Sequence, residues 1–371
     1  MTTKTISWIG SLATASMLVL PVTASLGPAE AQEAGPIAAI EVDPAKAALG
    51  RRLFFDPRLS GDADSSCSTC HQPENGFTDG QALSEAYTGT RGFRNVPTLI
   101  NTALRAAWFH DGRLGTNLND VTRESLTETY MMNMDMRLMQ ERLKQDPVYV
   151  RMFAEAGYGE PSNGGVRNAI PEYLSTLTSR GSAFDLGEMS ADAQAGYALF
   201  NGKAGCAACH SGDRFTDDQP YNIGVPENPE IFADPLRHIT FVTYAKFMGV
   251  ENYMNRRRDI GAYVRGHPED QSTVGSFMTP TLRELTYTAP YMHNGMMGSL
   301  AEVVSFYNQG GGDDANKDPR IRPLGLSADE EAQIVAFLES LSGEPLTGPD
   351  FVPEEIDLDY PAIEDWLNTS N

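Results

Sequence analysis

Two short runs carry residues able to do covalent and metal chemistry: Cys67-Ser68-Thr69-Cys70-His71 and Cys206-Ala207-Ala208-Cys209-His210. Together they hold all four cysteines of the 371-residue chain. Two disulfides would use the thiols but leave the histidine after each pair unexplained. Zinc takes Cys and His, yet each run supplies three donors and no clear fourth. Covalent haem c uses every one of these residues: two thioether links and one axial imidazole per motif. The sequence therefore predicts two haem c groups, bound through Cys67, Cys70 and His71 and through Cys206, Cys209 and His210.

Elements of matching kind precede and follow each motif. Leu49-Gly50-Arg51-Arg52-Leu53-Phe54-Phe55 leads to the first, and Ala195-Gly196-Tyr197-Ala198-Leu199-Phe200 to the second; both read as helices with one apolar face. Downstream, Phe109-His110-Asp111-Gly112-Arg113-Leu114-Gly115 is echoed by Met292-His293-Asn294-Gly295-Met296-Met297-Gly298. The sequence thus predicts a mainly α fold of two cytochrome c-like helical haem domains with long loops. The expected division is a signal peptide over 1–31, domains over 32–180 and 181–345, and an acidic, Pro-rich tail over 346–371. His71 lies 39 residues before His110, whereas 83 separate His210 from His293. The extra stretch, roughly 217–278, reads mostly as loop. The segment 131–157 reads as helical, its methionines as core. In the tail, Ile363 and Trp366 are candidates to dock.

Lys4, the apolar run from Ile6 to about Val22 and Ala29-Glu30-Ala31 have the layout of a cleaved secretory signal. Pro21 and four interrupting Ser and Thr residues argue against a membrane anchor, and no later stretch is apolar for long enough to span a bilayer. A net charge of −22 excludes nucleic acid and anionic lipid as natural partners. The expected location is the periplasm.

The run Leu49 to Ser60, the first CxxCH, Arg94-Asn95-Val96-Pro97-Thr98-Leu99 and His110-Asp111-Gly112-Arg113 resemble the bacterial di-haem cytochrome c peroxidase and MauG family. So do Gly205 to Gly212 and Thr288-Ala289-Pro290-Tyr291-Met292-His293-Asn294-Gly295. The resemblance implies two helical haem domains, a calcium ion between them, hydrogen peroxide reacting at one haem and electron transfer through the other. Carried over residue by residue, it makes Asn95, Thr288 and Pro290 the calcium donors, oxygen ligands that suit a hard cation. The second haem's further ligand falls on Tyr307, as in MauG, where the peroxidases have Met; Met292, Met296 and Met297 are the alternatives. Many of the peroxidases carry a closing His where this chain has Tyr87, which leaves the His71 haem open on its other face. The family's distal acid–base falls on Tyr130, so Glu128, with Glu124 as second choice, is expected to move the peroxide proton. His110 stands where the family has an inter-haem Trp, with Trp108 two residues away. His293 is expected to be structural or propionate-bonded.

Two enzymatic readings follow from the resemblance. One is a MauG-like oxidoreductase that uses peroxide to form high-valent iron and oxidises side chains of a periplasmic partner protein. The other is a cytochrome c peroxidase that reduces peroxide to water with electrons from a small c-type cytochrome or cupredoxin. A non-enzymatic di-haem electron carrier ranks third.

Overall fold

The computed structural model describes residues 34–115, 117–265 and 271–353; the expected signal peptide, Ile363 and Trp366 lie outside them. Among the described residues the fold is helical, with two minimal two-stranded sheets. The first half contains α1 (Pro44–Phe54), α2 (Cys67–Cys70), α3 (Leu118–Thr127), α4 (Met136–Lys144), α5 (Pro147–Glu155) and α6 (Asn163–Leu174). There follow α7 (Ala183–Leu186), α8 (Ala191–Asn201), α9 (Glu230–Ala233), α10 (Pro235–Phe247), α11 (Leu300–Asn308) and α12 (Ala328–Glu339). No described helix is long and apolar enough to cross a membrane.

The repeat seen in the sequence is a repeat of packing. Helix α1 crosses α6 and α8 crosses α12, and each crossing is closest at a glycine. A Cβ on Gly50 would lie 1.9 Å from the Ala169 carbonyl oxygen, and one on Gly196 1.9 Å from that of Gln333. The first crossing buries Leu49, Leu53, Phe54, Ile170 and Tyr173 beside Tyr149 and Phe153. The second buries Phe200, Ile334 and Phe337 with Phe215 and Val304.

The turns that follow also match. Strand β1 (Ala107–Trp108) pairs antiparallel with β2 (Leu114–Gly115), bringing Trp108 opposite Leu114. In the second half Tyr291 faces Met297 in the same way. Phe109 and Met292, at φ 65° and 74°, and Gly112 and Gly295, at 64° and 63°, bend both turns through the left-handed region. Gly295 is irreplaceable on a second count, because its Cβ would meet Ala82 Cα at 2.2 Å.

Three expectations change. The segment 131–157 forms two helices, because Pro147 cannot continue α4 and the Asp146 carboxylate caps α5 through the Val148 N–H at 2.8 Å. The stretch 217–278 is built around α10, a 13-residue helix. Asp234 caps it and Pro235 opens it, and Phe241, Tyr244 and Ala245 face a separate core with Phe93, Ile231 and Ile260. Its β-branched Ile239, Thr240, Val242 and Thr243 and its Gly- and Pro-rich flanks hide the helical period. The segment after residue 345 returns to the first half: Leu346 and Phe351 join its core, and the Tyr173 hydroxyl donates to the Phe351 carbonyl at 2.9 Å. Ser179 and Ser182, at the expected domain junction, are buried.

Gly196→Ala is expected to lower stability by about 3 kcal/mol through overpacking, read as a fall in melting temperature. An unchanged melting temperature would show that the α8–α12 crossing can widen freely.

Candidate haem sites

Each CxxCH histidine is fixed by the turn that follows it. The His71 N–H donates to the Cys67 carbonyl at 2.9 Å, and its Nδ1 donates to the Phe77 carbonyl at 2.9 Å. His210 repeats both contacts, with Cys206 at 3.0 Å and Phe215 at 3.0 Å. Phe77 and Phe215 present those carbonyls by adopting positive φ, 60° and 52°. A carbonyl on Nδ1 fixes the tautomer and leaves the Nε2 lone pair for a metal. Burial keeps both rings neutral, pushing His71 down to about 4 and lowering His210.

Each histidine opens into a cavity, of about 240 Å³ at His71 and about 310 Å³ at His210. Both far exceed the roughly 30 Å³ share of one water, and both are mostly apolar. The four cysteines are unbonded and line these walls. Burial pushes the Cys67 thiol up to about 12 and those of Cys70 and Cys206 to about 11; neutral thioethers suit such walls better than thiolates. The donor set, the tautomers and the apolar cavities fit one haem c in each.

Asn95, Val96, Pro97, Thr98, Arg105 and His110 line both cavities. His110 donates through Nε2 to the Asn95 carbonyl at 2.9 Å, and its own carbonyl accepts from Met278 N–H at 2.8 Å. Burial, with the field of Arg94, pushes its imidazole down to about 4. Trp108 lines only the first cavity, its indole donating to the Thr102 carbonyl at 3.0 Å. His293 lines the second cavity, stacks on Phe277 with centroids 3.6 Å apart, and is pushed down to about 3 by burial.

The turn carrying His110 is held by charge. Asp111 is fully buried between Arg94 at 2.5 Å and Arg113 at 3.2 Å, and accepts from the Tyr244 hydroxyl of α10 at 2.5 Å. Arg94 also grips Asp259 with two bonds of 2.7 Å. Burial alone would raise the Asp111 carboxyl, but the two guanidiniums hold it well below the usual carboxylate range.

The expected proton-moving carboxylates stand one layer behind the first cavity. Neither Glu124 nor Glu128 is among its lining residues; Arg113 and Tyr130 are. Glu124 accepts from Arg113 Nε at 2.8 Å, and the Arg113 guanidinium lies 3.6 Å over the Phe109 ring. Burial, then the neighbouring Glu124, raises the Glu128 carboxyl. Burial pushes the Tyr130 phenol up to about 12. Tyr87 does not line the cavity; its hydroxyl lies beside Gly61.

Tyr307, on α11, lines the second cavity with His210, and its hydroxyl makes no hydrogen bond with any described residue. Burial, then the nearby Cys206 and Cys209 sulfurs, pushes its phenol up. Met292 lines the same cavity, Met296 is exposed and Met297 is buried outside the lining. Thr288 and Pro290 line it too, while Asn95 commits its Nδ2 to the Gln81 carbonyl at 2.7 Å and keeps its Oδ1 available. Among the described residues no cluster of three or more His, Cys, Asp or Glu side chains offers a metal site. A hard cation here would therefore take amide and carbonyl oxygens.

Arg105 and Tyr244 are the site residues that no motif singles out, whereas Arg113 belongs to the His110-Asp111-Gly112-Arg113 turn.

This fold, with two CxxCH cavities sharing one wall, defines a di-haem oxidoreductase. The family model described as di-haem cytochrome c peroxidase matches residues 44–193. The cytochrome-c peroxidase IdrP2 of Denitromonas iodatirespirans is 43% identical over 364 residues, covering 95% of this chain and 97% of that protein. The methylamine utilization protein MauG of Methylorubrum extorquens is 37% identical over 315 residues, covering 81% and 79%. A crystal structure of a MauG-like protein associated with microbial copper homeostasis superposes with a TM-score of 0.72 at 26% identity, covering 87% of this chain and 97% of that one. The chain belongs to the di-haem cytochrome c peroxidase and MauG family of haem-dependent oxidoreductases.

Asp111→Asn is expected to cost about 3 kcal/mol, because it removes the buried carboxylate that Arg94 and Arg113 share and leaves them only Asp259 and Glu124. Asp111 is depressed in the folded state, so its stabilisation is full above the ordinary carboxylate pKa of about 4. It is lost only as pH falls further, towards the folded value. The wild-type advantage over Asp111→Asn, measured by denaturant titration, should hold steady from pH 7 to about pH 5 and shrink in stronger acid. A gap that shrinks already between pH 7 and 6 would mean another group carries it.

Proposed function

We propose that the protein works in the periplasm as a MauG-like oxidoreductase, using hydrogen peroxide to oxidise side chains of a partner protein. The observation that carries this reading is Tyr307, which stands in the His210 cavity with its hydroxyl unbonded. A phenolate ligand disfavours ready reduction of the iron it binds, which suits an oxidising centre better than a donor-fed one. Haem c, when bound, supplies the iron that accepts the oxidising equivalents of peroxide. The chain's residues do the rest. His71 would hold the first haem, and Tyr130 and Arg113, which line that cavity, would donate hydrogen bonds to peroxide there. Tyr130 keeps its proton at neutral pH, so it acts as a donor and not a base. Glu128 and Glu124, behind Arg113, receive the peroxide proton and return it to the departing oxygen. A calcium ion on Asn95 Oδ1 and the Thr288 and Pro290 carbonyls belongs to this reading, and steadies the segment that both cavities share.

The second reading, a cytochrome c peroxidase fed by a small c-type cytochrome or cupredoxin, draws support from the 43% identity to IdrP2. One comparison separates the two. Under the first reading, mass spectrometry of a co-expressed neighbouring protein shows gain of oxygen or loss of hydrogen only when this enzyme and peroxide are present. Rapid peroxide-driven oxidation of a reduced small cytochrome, seen only after pre-reduction and with no modified protein, would put the peroxidase in its place. An inert response to peroxide would leave the electron carrier.

Two substitutions test the residue roles. Tyr307→Phe should change the absorption and EPR signature of one haem and leave the other intact; identical spectra would remove Tyr307 as a ligand. Glu128→Gln should slow the reaction with peroxide by on the order of 10²–10⁴. An unaffected rate in Glu128→Gln but a slowed one in Glu124→Gln would move the role to Glu124.

A further inference from the structure

We infer that Arg105 is a common anchor for carboxylates of both haems, so that one guanidinium ties the two redox centres together. The inference rests on the two-haem reading but not on what the enzyme oxidises.

Three observations lead to it. Arg105 lines both cavities, and among the described residues it is the one guanidinium that does so. Its side chain makes no hydrogen bond and no ion pair with any described residue. Of the other guanidiniums that line a cavity, Arg94 is engaged with Asp111 and Asp259, Arg113 with Asp111 and Glu124, Arg283 with Asp185 at 2.7 Å and Arg320 with Asp318 at 2.8 Å, while Arg322 lines only the second cavity and is exposed. Asp218 is the carboxylate whose field reaches Arg105, and it is already held by Arg214. Burial accordingly pushes the Arg105 guanidinium down from its ordinary value.

A partly buried cation facing an apolar cavity without a paired counter-charge is costly, and it is retained where a ligand brings the opposite charge. Haem c is fixed at its vinyl edge by thioethers, and its remaining polar groups are two propionates. Those carboxylates are the anions that a site of this kind receives. The guanidinium's five donors form a fork that can serve two carboxylates at once, whereas a lysine ammonium cannot reproduce it. The backbone is prepared for this task. The Arg105 N–H closes a 3-10 turn on the Thr102 carbonyl at 3.2 Å, and the Trp108 indole bonds the same carbonyl. Arg105 is thus a positioning residue with an electrostatic consequence. Its charge disfavours the more positive ferric state of each haem, and a change at one propionate alters the bond available to the other.

The test is a spectroelectrochemical titration of the holoprotein and of Arg105→Gln and Arg105→Lys, with two haems per chain verified by pyridine haemochrome. Both midpoint potentials should fall in Arg105→Gln, and both should move by a smaller amount in Arg105→Lys. A shift confined to one haem, or none, would overturn the inference. Should Arg105→Gln and Arg105→Lys fail to retain haem, resonance Raman of the wild type decides. Propionate bending bands of both haems at hydrogen-bonded positions support the anchor, and bands of a free propionate on either haem sink it. A wild-type chain carrying fewer than two haems would instead remove the di-haem reading.

Discussion

Asp111 has no exposure to solvent and two guanidiniums against it, and the walls of both cavities are arranged around that contact. Arg94 immediately precedes Asn95–Thr98, the segment common to the two cavities. Arg113 follows the turn that presents His110. The bond from Tyr244 and the Arg94–Asp259 pair carry the same network into α10 and the loops beyond it. A single buried carboxylate thereby sets the relation between the first cavity, the shared wall and the inserted core. Buried charge earns little net stability against an apolar substitute, but it allows only one arrangement of its partners. Rigid placement is what a redox site needs.

The repeat was legible because it is written locally. A CxxCH motif, a helix with an apolar face and a His-Asx-Gly turn each declare themselves within a few residues, and the folded halves match in their helix crossings and their turns. The insertion at 217–278 was not legible as structure. Its helix α10 has strong start signals in Asp234 and Pro235, yet its interior is β-branched and its buried face is supplied by Phe93 and Leu83, far away in the chain. Tertiary packing overrides a weak local preference there. The break between α4 and α5 is the opposite case: Asp146-Pro147 stated it plainly, and the continuous apolar period across 136–153 masked it.

For the site, the Cys and His residues that line the two cavities were legible and the layer behind them was not. Cys, Cys and His are adjacent in sequence, so their chemistry needs no fold. The carboxylates near the first cavity could be chosen only by counting, and counting cannot see that Arg113 and Tyr130 stand in front of Glu124 and Glu128. Arg105 carries no motif. Its importance comes from what it lacks in the folded chain, a partner, and a sequence does not display that.

The return of Leu346 and Phe351 to the first core has a consequence for biogenesis. Helices α1, α5 and α6 cannot finish their common core until residue 351 is available, although the Cys67–Cys70 motif is synthesised hundreds of residues earlier. The first thioether bonds can therefore be made on a chain whose surrounding wall is still open, and the last segment closes that wall afterwards. Attachment of the cofactor does not have to wait for completion of the fold.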